Sequence, residues 1–152
     1  MSSTPHLKYP QMPPFQPEEI PVFLERPILA RLGTLNKDGT IHLTPIYFNY
    51  VDGDFLLGTQ AMSRRVRNIQ RNPRVSLLID DRNPLGAVLV YGTATLEYEN
   101  VLPRRIAILE RYNPHDYAVE FAEWLCSTYK SVIIRVKPER MVSFDYTKDS
   151  IP

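Results

Sequence analysis

Residues 54–80 read DFLLGTQAMSRRVRNIQRNPRVSLLID, and they decide the fold. Phe55 to Leu57 is a short apolar run that ends in Gly58-Thr59. Val75 to Ile79 is a second run, entered through Asn72-Pro73. Between them the period changes from that of a strand to that of a helix. Met62, Val66 and Ile69 fall at i, i+4 and i+7 and form one apolar stripe. Arg64, Arg67, Asn68 and Arg71 lie on another face, with Arg65 between the two. The stretch therefore predicts strand, turn, helix over 62–71, strand. Ser63 is a good residue type for the helix N-cap. The first turn would join a hydroxyl, two guanidinium groups, free backbone N–H groups and the positive end of the helix dipole. Those features favour an anion, phosphate above all. The plain alternative is a solvated arginine face behind an ordinary serine cap.

Outward from this stretch, the chain supplies more strands than helices. Upstream, Ile28 to Leu35 and Thr40 to Tyr50 read as a hairpin closed by Asn36-Lys37-Asp38-Gly39. Pro45 inside the second strand marks an edge or a bulge. Val51-Asp52-Gly53-Asp54 turns the chain into the strand at Phe55, so three strands meander before the helix. Downstream, Asp80 to Pro84 is a polar loop, and Ala87 to Tyr98 is a long strand. Val88, Val90, Gly92, Ala94 and Leu96 share one face of it, and Gly92 implies a bend. Two helices follow, one carrying Leu102, Ile106 and Leu109, the other Ala118, Phe121, Ala122 and Leu125, separated at Asn113-Pro114. A sixth strand runs from Ser131 to Val136 and is ended by Pro138, with an extended segment at Met141–Tyr146. The spacing predicts a mainly β chain, a small antiparallel barrel of six strands with a few helices.

The N-terminal residues 1–16, with Pro5, Pro10, Pro13 and Pro14, read as a flexible tail. Residues 17–26 read as a short helix that bears Ile20, Phe23 and Leu24 on one side, with Pro21 suited to a first turn. One domain over 17–152 is the natural count for 152 residues.

Composition narrows the function classes. The formal charge is +1, so no global field steers the chain toward nucleic acid or a membrane surface. Its arginines gather at 64–74, but no aromatic platform is interleaved with them for stacking on bases. No segment has the apolar length of a membrane span, and the N-terminus lacks a secretory apolar core. Cys126 is the single cysteine, which rules out an internal disulfide and fits a cytoplasmic setting. No histidine pair stands at metal spacing, no serine sits in a nucleophile elbow, and the glycines form no nucleotide fingerprint. His42, alone in mid-strand, reads as a base or, more simply, as a structural residue. Chemistry in such a chain has to come from a cofactor.

The run Leu43-Thr44-Pro45-Ile46-Tyr47-Phe48, then Gly58-Thr59, then Ser63-Arg64-Arg65-Val66-Arg67-Asn68, then Asn72-Pro73-Arg74-Val75 resembles the pyridoxamine 5′-phosphate oxidase-like split-barrel family. The resemblance covers about residues 17–146 in the order of elements, and the block 43–78 is its specific part. It implies a six-stranded antiparallel split β-barrel. It also implies a homodimer with FMN, or in one branch a deazaflavin coenzyme, at the subunit interface. Residues 43–48 would lie along the isoalloxazine ring, and Thr59, Ser63, Arg64 and Arg65, beside Gly58, would hold the phosphate. The true oxidases commonly carry lysine where Arg65 stands, and a flavin-contacting glutamine where Ala87 stands. Their C-terminal Trp-Arg signature is replaced here by Ile133 to Arg140. The departures point away from vitamin B6 oxidation and toward the broader family. They leave an oxidoreductase that acts on a small-molecule substrate, with NAD(P)H as a candidate reductant. A flavin-holding module without turnover is the other reading. The homodimer expectation also has a compositional side: hydrophobic residues make up 43% of the chain, with nine tyrosines and six phenylalanines to place.

Overall fold

The computed structural model describes residues 13–148. Seven strands form one antiparallel sheet: β1 Ala30–Leu35, β2 Ile41–Ile46, β3 Phe48–Val51, β4 Asp54–Gln60, β5 Arg74–Arg82, β6 Leu85–Glu97 and β7 Ser131–Asp145. The helices are α1 Glu19–Leu24, α2 Arg64–Arg71, α3 Val101–Leu109 and α4 His115–Thr128, and a 3₁₀ turn, Tyr146–Lys148, follows β7. The order across the sheet is β2-β1-β5-β6-β7-β4-β3. The sheet curls so that alternate residues meet inside it. Leu32, Phe55, Leu57, Leu77, Ile79, Val88, Val90 and Ile134 are fully buried there. Each such side chain contributes about 1.5–3 kcal/mol by leaving water.

The split barrel stands, with one strand more than the six expected. The expected second strand, 40–50, divides at Tyr47 because its two halves pair with different partners. β2 pairs with β1 at one edge of the sheet, and β3 pairs with β4 at the other. The chain thus joins both edges through one residue. Two side chains from the turn after α3 hold that joint. The Tyr112 hydroxyl accepts the Phe48 N–H at 3.2 Å and donates to Ile28 O at 2.8 Å. The Arg111 guanidinium donates to Phe48 O and to Leu24 O. Pro45 lies on β2, an edge strand, where its missing N–H breaks no second ladder.

The sixth expected strand does not end at Pro138. It continues as β7 to Asp145, taking in the expected extended segment except Tyr146, because Pro138 falls opposite Gly92, where the β6–β7 register shifts. A Cβ on Gly92 would stand 2.5 Å from Lys137 O, so the approach of the two strands there requires glycine. Residues 13–16, read as the end of the tail, lie against β7: Asp145 N donates to Pro13 O, and Phe15 N donates to Ser143 Oγ. The rest of the expected tail, residues 1–12, lies outside the described residues. In α1, Pro21 is the third helical residue, within the first turn, where N–H groups lack intrahelical acceptors.

α3 covers the outer face of β4 and β7. Ile108 packs with Leu56 and Ile133, while Leu109 joins Ala118, Ala122 and Leu125 of α4. This placement brings α3 to the end of β4 where Gly58 and Thr59 lie. Among the described residues no helix is long and apolar enough to cross a membrane.

Candidate functional site

α2 begins as its sequence predicts. Ser63 caps it, with extended backbone and its Oγ accepting the Val66 N–H at 3.4 Å. The hydroxyl of Thr59, at the end of β4, approaches Ser63 Oγ to 3.4 Å. Val66 and Ile69 are buried, which seats the helix on β1 and β6. Asn68, read as part of the polar face, is instead 3% exposed. Its amide nitrogen donates to Thr34 Oγ1 and to Asn36 Oδ1, both at 3.0 Å, and ties α2 to the β1–β2 turn. Arg71 braces the same turn by donating to Leu35 O at 2.8 Å.

Arg65 reaches back over the sheet. Its Nε donates to Thr44 Oγ1 at 2.8 Å, Nη1 to Thr59 Oγ1 at 3.2 Å and Nη2 to Pro45 O at 3.1 Å. One guanidinium therefore gathers β2, β4 and the start of α2. Arg64 is exposed. Neither has a carboxylate partner among the described residues. Burial holds the His42 imidazole below its ordinary range, and the charges of Arg64 and Arg65 add to that effect.

A cleft of about 300 Å³ opens beside this group. Pro45, Ile46, Tyr47, Gly58 and Arg65 line one side of it, and Arg105, Ile108 and Leu109 of α3 line the other. Tyr47 stacks on Tyr112 at 4.1 Å between ring centroids and forms an aromatic wall. Arg105 lies over Gly58, where a Cβ would come within 3.0 Å of its Nε. Burial pushes the guanidiniums of Arg65 and Arg105 below their usual range.

The expected site residues thus divide. Pro45, Ile46, Tyr47, Gly58 and Arg65 line the cleft, and Thr44, Thr59 and Ser63 adjoin it through Arg65 or through one another. Arg64 sits at the helix start beyond it. Phe48 cannot serve as a side-chain wall, because β3 turns it into the barrel, where it is fully buried against Phe55. Leu43 faces away from the cleft and lines a separate concave surface with Ile41 and Tyr91. Arg105, Ile108 and Leu109 are site residues that sequence reasoning missed. Their spacing carried a signal: positions 101, 105, 108 and 109 repeat at helical period, and the arginine occupies a core-facing phase. Among the described residues no group of three His, Cys, Asp or Glu side chains is placed to hold a metal ion.

A curled antiparallel sheet whose two edge strands are joined through one residue defines a split barrel, with cations at a helix start beside its cleft. The family profile described as pyridoxamine 5′-phosphate oxidase matches residues 16–141, and the chain belongs to that family. The conserved hypothetical protein Rv2991 from Mycobacterium tuberculosis is 30% identical and superposes with a TM-score of 0.79 over 91% of this chain and 89% of that one. An F420 reductase, 21% identical, gives 0.64 over 79% and 93%. A FAD-binding protein from Mesorhizobium loti, 19% identical, gives 0.63 over 88% and 96%; these last two likenesses concern the fold. No curated protein matches the chain.

Proposed function

We infer that the protein binds FMN in the α2–β4 cleft and works as an oxidoreductase on a small molecule, with NAD(P)H as the candidate reductant. The observation that carries this reading is the pair of cations in one cleft, Arg65 and Arg105, which have no acidic partner among the described residues. A protein that keeps such charges partly out of water is built for an anion brought by a ligand. The residues fit the phosphate: the amides of the first α2 turn have no intrahelical acceptor, Ser63 and Thr59 offer hydroxyls, and Arg64 and Arg65 offer charge-assisted donors. Pro45, Ile46 and Tyr47 supply apolar and aromatic surface for a flat ring and exclude water from it. Bound there, a flavin supplies hydride transfer, while the protein supplies orientation and electrostatics. The alternative coenzyme is a deazaflavin, favoured by the likeness to an F420 reductase. Titrating the purified protein with FMN, riboflavin and a deazaflavin coenzyme tests the reading. FMN should bind more tightly than riboflavin by about a hundredfold, the scale of one or two charge-assisted contacts. Equal affinities would remove the phosphate site. NAD(P)H-driven reduction of the bound flavin separates an enzyme from a holding module.

The proposal includes a cytoplasmic homodimer. On the outer face of β2, β1, β5 and β6, Ile41 and Leu43 are 68% and 64% exposed, and Leu78 and Tyr91 are exposed beside them. They line a concave surface of about 490 Å³. An apolar hollow of this kind on a sheet face suits a second copy of the same chain. Light scattering should give twice the 17.6 kDa chain mass. The double variant Ile41→Glu, Leu43→Glu should shift the mass to the monomer while leaving the circular dichroism spectrum intact. A wild-type monomer at micromolar concentration defeats this part.

A further inference from the structure

Arg105, 9% exposed, carries a charge that no carboxylate among the described residues answers. Arg65, the other cation of the cleft, also lacks a carboxylate, but its Nε, Nη1 and Nη2 are all engaged by Thr44, Thr59 and Pro45; the remaining part-buried arginines differ further. Arg26 pairs with Asp81, Arg104 with Glu97, and Arg135 with both Glu97 and Asp54. Arg111 lacks an acid but spreads over the carbonyls of Phe48, Leu24 and Arg26. Arg105 spends a single nitrogen, Nη1, on Ser131 Oγ at 2.9 Å and Thr59 O at 3.4 Å. Its Nε and Nη2 make no hydrogen bond among the described residues, although a guanidinium has five N–H donors. It lines the cleft across from Tyr47 and Pro45. A volume of about 300 Å³ with apolar walls suits part of a ring-bearing ligand that carries an anionic group.

We propose that Arg105 forms a second anion-binding subsite, apart from the cradle at Ser63–Arg65, and takes a carboxylate or phosphate oxygen of a ring-bearing ligand. The proposal deepens the flavin reading and rests on it only in treating the cleft as a ligand site. Arginine suits the task because its planar fork meets two oxygens at once. Ser131 and Thr59 fix the outer nitrogen and leave the remaining donors for the ligand. The anion has two sources, a substrate acid or a group of the cofactor.

Benzoate and its neutral isostere benzamide probe the subsite by calorimetric titration of the full chain, without FMN and with FMN at saturation. Benzoate should bind at least about tenfold more tightly than benzamide, the ratio one charge-assisted contact gives. Arg105→Gln should erase the preference, and Arg105→Lys should keep part of it. A preference that persists at saturating FMN assigns the subsite to a substrate acid. A preference that vanishes, with Arg105→Gln then weakening FMN as well, assigns it to the cofactor. Absent benzoate binding, equal binding of the two probes by the wild type, or an unchanged preference in Arg105→Gln overturns the proposal. The wild-type comparison decides even where a variant does not fold. Failure of FMN binding with the benzoate preference intact would overturn the flavin reading alone.

Discussion

Replacing Arg65 by alanine should lower FMN affinity by about ten- to a hundredfold and cost riboflavin only a small part of that. A charge-assisted hydrogen bond to phosphate contributes roughly 1.5–3 kcal/mol, and 1.4 kcal/mol is a factor of ten. Arg65 also braces the cleft through Thr44, Thr59 and Pro45, so its loss loosens the ring wall as well. That bracing accounts for a modest effect on riboflavin. Arg64→Ala is the cleaner companion, because Arg64 is exposed and makes no hydrogen bond or ion pair among the described residues. It should weaken FMN by roughly tenfold and leave riboflavin unchanged. Arg65→Lys keeps a charge but loses the three-way fork, and should fall between wild type and alanine. Equal losses of FMN and riboflavin in Arg64→Ala would mean that no phosphate sits at the α2 start.

The second large effect is on stability. Phe48→Ala should cost about 3–5 kcal/mol, as expected for a large side chain removed from a packed core. Phe48 is fully buried, its ring centroid lies 5.9 Å from that of Phe55, and the Arg111 guanidinium stands 4.6 Å over its face. Truncation opens a cavity and strips Arg111 of its aromatic partner at the same point where Arg111 caps the β2–β3 joint. Chemical denaturation reads the loss directly. FMN affinity of the folded fraction should change less than in Arg65→Ala. A stability loss under about 1 kcal/mol with abolished FMN binding would instead make Phe48 a ligand contact.

Local patterns carried much of the fold. Asp38-Gly39 announced the first hairpin, and the switch of period between Leu57 and Val66 placed α2 between two strands. Ser63 was legible as a cap because capping depends on residues within one turn. What local pattern could not supply was pairing between distant strands. Pro45 marks an edge, but nothing near Tyr47 signals that β3 crosses to the opposite edge of the sheet; the joint depends on Arg111 and Tyr112, more than sixty residues away. Phe48 looked like a wall because it shares a phase with Ile46, but that phase is the buried one, and Phe48 is packed in the core against Phe55. Asn68 looked solvated because its acceptors, Thr34 and Asn36, belong to another element. Arg105 was hidden for the same reason. A charged residue on an amphipathic helix reads as solvent-facing until the sheet it covers is known.

The position of β7 has a consequence for how the chain is born. β4 and β3 join the sheet only through β7, since the order runs β6-β7-β4-β3. The 70 residues 61–130 separate the end of β4 from the start of β7. At about 5–20 residues per second, a ribosome takes roughly 4–14 s to make them. During that interval the β3–β4 hairpin, bearing Phe48, Phe55 and Leu57, has no neighbour for the edge of β4 that β7 will cover. Exposed strand edges of this kind invite pairing with other chains. The nascent protein is therefore most vulnerable to aggregation late in its synthesis, and Gly58 and Thr59 reach their final places only when the seventh strand arrives.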